Sequence, residues 1–233
     1  LQVLYHELIH FLHDLSTGFG LWNYSHFCHE LTHSVGYLYR QDRNQNIKIP
    51  IIDLTPINRI NRDLFSIYSG NGDQIDSVKN LLLIELISNG IIEKFTDVPY
   101  IQLTYLDNSR KHVTRDFGAI ALLESAANLI ESHIFDVTNL PDYPYNSCRH
   151  VSDKILGYRL SDELLYITIE FSLYSTHPAL FFIDLLKQLI SLKELNRSTL
   201  LAIIENYKFE GKLFSCSQNY KSMLQKSSNR AKK

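Results

Sequence analysis

The stretch Tyr5-His6-Glu7-Leu8-Ile9-His10-Phe11-Leu12 constrains this chain more than any other. Around it Val3, Leu4, Leu8, Phe11, Leu12 and Leu15 recur every three or four positions, the period of a helix. Residues i and i+4 of a helix stand one turn apart on one face, so His6 and His10 can aim two imidazoles at one point. Two neutral imidazoles suit Zn²⁺, and a glutamate beside the first can hold and deprotonate a water. Glu7 stands in that position.

The pattern His6-Glu7-x-x-His10 resembles the zincin metallopeptidases. The resemblance implies that His6 and His10 bind zinc and that Glu7 is the general base of a peptidase. A catalytic zinc wants a third protein ligand and one open position. Leu123-Glu124-Ser125-Ala126-Ala127-Asn128-Leu129-Ile130-Glu131 offers Glu124, with a small residue next, an alanine three positions on and Glu131 seven positions on. This is similar to the glutamate helix of the gluzincin branch. It implies Glu124 as the third ligand and Glu131 behind the ligands or facing substrate. The resemblance covers mainly residues 5–20 and 117–133.

Glu30 is the alternative third ligand. Nineteen residues separate it from His10, the spacing of the thermolysin-like group, and Asp14 and Gly18 also match that group's segment. Ser34 departs from it, standing where that pattern carries an aspartate. The turn Ser16-Thr17-x-x-Gly20 instead resembles uncharacterised bacterial gluzincin-like proteins, which favours Glu124. Gluzincins commonly steady the oxyanion with a His or Tyr, for which His150, His177, Tyr145 and Tyr158 are candidates.

A second match, His29-Glu30-Leu31-Thr32-His33, continues to Gly36 in a way that resembles the metzincins, but Tyr39 replaces the third histidine. The expectation is that this helix packs against the first, with His29 and His33 facing the same pocket. The two Glu-x-x-His motifs, with Glu124 and Glu131, also suit an alternative class: a helical di-iron carboxylate protein. A helical binding module without catalysis is the third reading.

Composition bounds the partners. Charged residues make up 21 % and the formal net charge is −2, so no basic field invites nucleic acid. Peptide or protein is the expected substrate. The longest apolar run, Ala179 to Ile190, is interrupted by Asp184 and Lys187 and falls short of a membrane span. Three widely spaced cysteines, Cys28, Cys148 and Cys216, argue against a disulfide framework and for a reducing, cytoplasmic setting. Because the motif helix begins almost at Leu1, an N-terminally incomplete chain is expected.

The fold class expected is mainly α (α+β): a zincin-like helical domain over 1–215 with a small β-hairpin, and a polar basic tail over 216–233. A helix to about Leu15 should stop at Ser16–Gly20, with an antiparallel second helix from Tyr24 to Arg40. Residues 41–57 read as a loop with a short extended piece. Ile75 to Ser88 reads as an apolar helix capped by Asn89-Gly90. Tyr100–Tyr105 and His112–Thr114 form the hairpin around Asp107-Asn108. A buried helix follows from Phe117 to about Phe135, then a loop over 140–147. Three or four helices over 150–207 should break near Gly157, His177-Pro178 and Asn196.

Overall fold

The computed structural model describes residues 1–40, 56–89, 98–136, 140–190, 192 and 195–206. The described elements, in chain order, are α1 (Gln2–Ser16), α2 (Gly18–Arg40), α3 (Pro56–Ser69), β1 (Val78–Asn89), β2 (Val98–Asp107), β3 (His112–Phe117), α4 (Ala119–Glu131), α5 (Ser147–Leu156), α6 (Asp162–Ser172), α7 (Pro178–Leu189) and α8 (Arg197–Asn206). The protein is mainly helical, with one three-stranded antiparallel sheet in the order β1-β2-β3. The expected basic tail and Cys216 lie outside the described residues, as does most of the expected extended piece at 41–57.

One element differs in kind from the sequence reading. Val78–Asn89, expected as a helix, is strand β1. Its run of leucines and isoleucines has no period that separates a buried helix from a strand. What decides is the partner: β2 is rich in aromatic and β-branched residues, and Leu81 stands opposite Tyr105 and Leu86 opposite Ile101. The hairpin itself is as expected, with Thr104 opposite Thr114 and Leu106 opposite His112. Helix α3 had no counterpart in the sequence reading, its Asn, Arg and Asp residues masking one apolar face.

The helices beyond the sheet follow from local signals. Gly157 ends α5 in the left-handed region, where its N–H bonds the carbonyl of Asp153. Ser161 caps α6 by accepting from the N–H of Leu164. Pro178 occupies the first turn of α7, capped by His177. The core gathers Leu103, Tyr105, Phe117, Leu122, Tyr143, Leu165, Ile169, Phe182 and Leu186, all essentially inaccessible.

A single residue separates the first two helices. Thr17 donates its hydroxyl to the carbonyl of His13 at 2.8 Å and accepts the N–H of Gly20 at 3.0 Å, so it closes α1 and caps α2. A Cβ on Gly20 would fall 2.4 Å from the Asp14 Cα, which restricts this corner to glycine. The apolar stripe of α1 (Leu4, Leu8, Phe11, Leu15) is exposed, and so is that of α2 (Phe27, Leu31, Val35, Leu38). The helical spacing is right, but the face is the outer one. The inner face of α1 carries Ile9, His13, His6 and His10, and polar groups on α4 and α6 meet it.

Helix α4 is the hub: α1, α3, α5, α6 and α7 all pack on it, while the sheet lies against α3, α5 and α7. The start of α4 is set by a backbone contact between two glycines. A Cβ on Gly118 would lie 2.4 Å from the Gly70 nitrogen and 2.4 Å from the Ser69 carbonyl carbon. Neither neighbour is a flexible side chain, so one of two backbones must move. Gly118→Ala is expected to lower folding stability by roughly 1–3 kcal/mol, as overpacking does. Chemical denaturation would read this as a shift in midpoint at unchanged slope.

Candidate metal centre

Small residues let α4 approach its neighbours closely, with Ser125, Ala126 and Ala127 all buried. Helix α1 packs along it, anchored at one end just past α4 and at the other on α6. The rings of Tyr5 and Phe135 meet edge to face at 5.7 Å, and buried His13 pairs with Glu170 of α6 at 3.0 Å. Between these anchors His6 and His10 face α4, one turn apart, and Glu124 and Glu131 face back two turns apart.

The donor atoms converge. His6 Nε2 lies 2.9 Å from His10 Nε2 and 3.1 Å from Glu124 Oε2, and His10 Nε2 lies 3.5 Å from Glu124 Oε1. Among the described residues, His6, His10 and Glu124 form the one group of three or more such donors close enough to share an ion. Two ligand atoms bonded to one ion at 2.0–2.1 Å stand about 3.3 Å apart, near the spacing of these pairs, with the two histidines facing different oxygens of Glu124.

Behind His6, Nδ1 lies 3.1 Å from Glu131 Oε2, close enough to donate to it. That tautomer leaves the lone pair of Nε2 on the side of His10 and Glu124. Two imidazole nitrogens and a carboxylate, with Glu131 orienting one ring, are a donor set that zinc accepts.

Glu124 and His10 each favour the other's charged form. Burial works against ionising Glu124, but His10 and His6 outweigh it and hold its carboxyl below the usual range. Burial likewise opposes charge on His10, yet Glu124, with Glu7 and Asp14 further off, raises its pKa. Glu7 itself is exposed.

Of the four candidate oxyanion groups, the structure brings one to the cluster. The Tyr145 ring centre is 6.1 Å from that of His6. Burial raises its phenol pKa, and Glu124, Glu131 and Glu7 raise it further, so it stays a proton donor. Its loop is tied to α4: Ser125 donates to the carbonyl of Pro144 at 3.1 Å, and the Asn128 amide reaches that of Tyr145 at 3.4 Å. These polar positions inside an apolar helix were the signal the sequence carried for this loop. The other three serve elsewhere. His150 is half-buried against Tyr105, Tyr158 is exposed at the end of α5, and His177 caps α7.

The second motif stays apart from the first. Glu30 is 3.7 Å from His26 on its own helix and 3.5 Å from Arg62 of α3, and it does not join the cluster. It is therefore not a third ligand here. The face of α2 that carries His26 and Glu30 turns towards α3, with the His26 ring 5.4 Å from that of Phe65. His29 is exposed and His33 is half-buried with an Nδ1 that has no partner among the described residues, and neither belongs to the group formed by His6, His10 and Glu124. The two Glu-x-x-His motifs are accordingly not brought to one centre, as a di-iron site would need.

The His13–Glu170 pair, extended by Tyr166 at 3.2 Å from Glu170, has no signal in the local sequence. No family model matches this chain, and no curated protein or solved structure does.

His177 gives a test outside the cluster. Its Nδ1 accepts from the Leu180 N–H and its Nε2 donates to the Pro99 carbonyl at 2.7 Å. Burial lowers its pKa from 6.5 to about 4. In that window the unfolded chain binds the proton and the native one does not, so stability rises with pH and is lost on acidification. From pH 6.5 down to about 4 this residue should contribute a slope approaching 1.4 kcal/mol per pH unit. Denaturation curves of His177→Asn across that range should show the slope reduced by up to one proton.

Proposed function

We propose that the chain is a zinc-dependent hydrolase acting on peptide bonds, with His6, His10 and Glu124 as ligands. The observation that carries this reading is the convergence of three acceptor-capable side chains from α1 and α4 on one point, with Glu131 fixing the ring of His6 from behind. The resemblance of His6-Glu7-x-x-His10 and of the Glu124 helix to the gluzincins supports the same assignment. No helix among the described residues is long and apolar enough to cross a membrane, so no described helix confines such an enzyme to a bilayer.

Zinc bound there supplies a Lewis acid that brings a water's pKa towards ~7 and polarises a carbonyl. The roles of the chain's own residues follow from their places. Glu7 lies within the helical turn that His6 and His10 span, directly after His6, and its side chain is exposed to solvent. It takes the proton of the attacking water and returns it to the leaving amine nitrogen. Glu131 keeps His6 Nδ1 protonated and so keeps Nε2 free as a donor of electrons. Tyr145, held protonated beside two carboxylates, donates a hydrogen bond to the oxygen that gains negative charge.

Elemental analysis of protein purified without added metal or chelator is the first test, with about one zinc per chain expected. Two irons per chain would favour the helical di-iron alternative, and no metal would leave a binding module whose cluster is held by protons. Glu7→Gln should keep its zinc and lose about 10²–10⁴-fold in turnover of a generic protein substrate. Glu124→Ala should lose zinc while Glu30→Ala retains it. Glu131→Ala should weaken zinc binding about 10–100-fold, the usual cost of losing a group that orients a ligand.

A further inference from the structure

Beside the cluster, on the neighbouring face of α4, lies a cavity of about 320 Å³. That is the low end for small-molecule sites, room for one amino-acid side chain. Its polar wall includes Asn128, Tyr145, Arg149, Arg159 and Asp162. Tyr145 therefore fronts both this cavity and His6, and Asn128 stands one turn beyond Glu124.

The two arginines differ in state. Arg149 is 8 % exposed, and its guanidinium is committed to the Leu160 carbonyl at 2.6 Å and to the Asp162 carboxylate. Arg159 is exposed, and among the described residues it has no acidic partner within ion-pair distance. Burial, and then the like charge of Arg159 set against the pull of Asp162, act on Arg149. The wall thus carries two guanidinium charges against one carboxylate, and the uncompensated one is free to turn on a ligand. Guanidinium groups recognise carboxylates through paired N–H donors.

We propose that this cavity is a subsite for a carboxylate on the substrate, with Arg159 as the residue that selects it. The proposal rests on the peptidase reading and names the substrate class: peptides with an acidic side chain, or a free C-terminus, placed next to the bond that is cut. Arg149, pinned by Leu160 and Asp162, shapes the wall and adds background positive potential. Asn128 and Tyr145 set the distance between the carboxylate and the cluster.

Calorimetric titration can separate the possibilities with four probes: N-acetylglutamate α-amide (side-chain carboxylate only), N-acetylglutamine (C-terminal carboxylate only), N-acetylglutamine amide (neutral) and inorganic phosphate. One of the two carboxylate probes is expected to bind at least tenfold more tightly than the neutral one, which also tells the two sources apart. Arg159→Ala should remove that preference, Arg159→Lys should restore part of it, and neither should shift the thermal unfolding midpoint. A preference that survives Arg159→Ala would mean the carboxylate is held elsewhere, at the cluster for instance, and would overturn the proposal. Equal binding of charged and neutral probes would overturn it too, as would binding of phosphate alone. An Arg159-dependent preference in a chain that holds no metal would keep the subsite and remove the peptidase.

Discussion

A carboxylate buried to 2 % exposure has to be matched by positive charge or by hydrogen bonds, and among the described residues His6 is the group that bonds Glu131. Its second oxygen is buried without a partner. Leaving such a group uncompensated costs several kcal/mol, so the docking of α1 on α4 is not optional for α4. The dependence is mutual, because the inner face of α1 is mostly polar and its histidines meet carboxylates on α4 and α6. The hub helix can accept this arrangement because Ser125, Ala126 and Ala127 leave room for neighbours all round.

The polarity of α1 is inverted relative to an ordinary surface helix, whose apolar stripe faces the core. Here the stripe faces out and the histidines face in. That inversion puts the polar contacts of His6, His10 and His13, rather than apolar packing, at the interface of α1 with α4 and α6. It also explains why hydrophobic spacing identifies the helix correctly and yet misplaces its inner face.

Much of the cluster was legible because its signals are local. The i, i+4 histidines and the small-residue context of Glu124 survive any tertiary arrangement, since both depend only on helical geometry. The choice between Glu124 and Glu30 did not have that protection. A spacing of nineteen residues places a ligand only if the corner between two helices bends in one particular way, and Thr17 makes a one-residue corner after which His26 and Glu30 turn to α3. Strand β1 was misread for a related reason: a run of Leu and Ile takes the structure its neighbour offers, and that neighbour is β2. The pairing of His13 with Glu170 joins residues far apart in the chain, and neither carries a local mark of it. The helices after the sheet were legible because glycine, serine and proline at their ends act through single-residue stereochemistry.

The distance along the chain between the two halves of the cluster has a consequence in time. His6 and Glu124 are 118 residues apart. At about 5–20 residues per second of synthesis, the histidine helix is made roughly 6–24 s before its carboxylate partners exist. Throughout that interval His6 and His10 lack both carboxylates that meet them in the fold. Under the zinc reading proposed above, metal captured then would meet an incomplete ligand set, so loading would have to follow completion of α4 or stay reversible until that point. The order of events during biosynthesis, rather than final affinity alone, would then decide which ion such a cluster keeps.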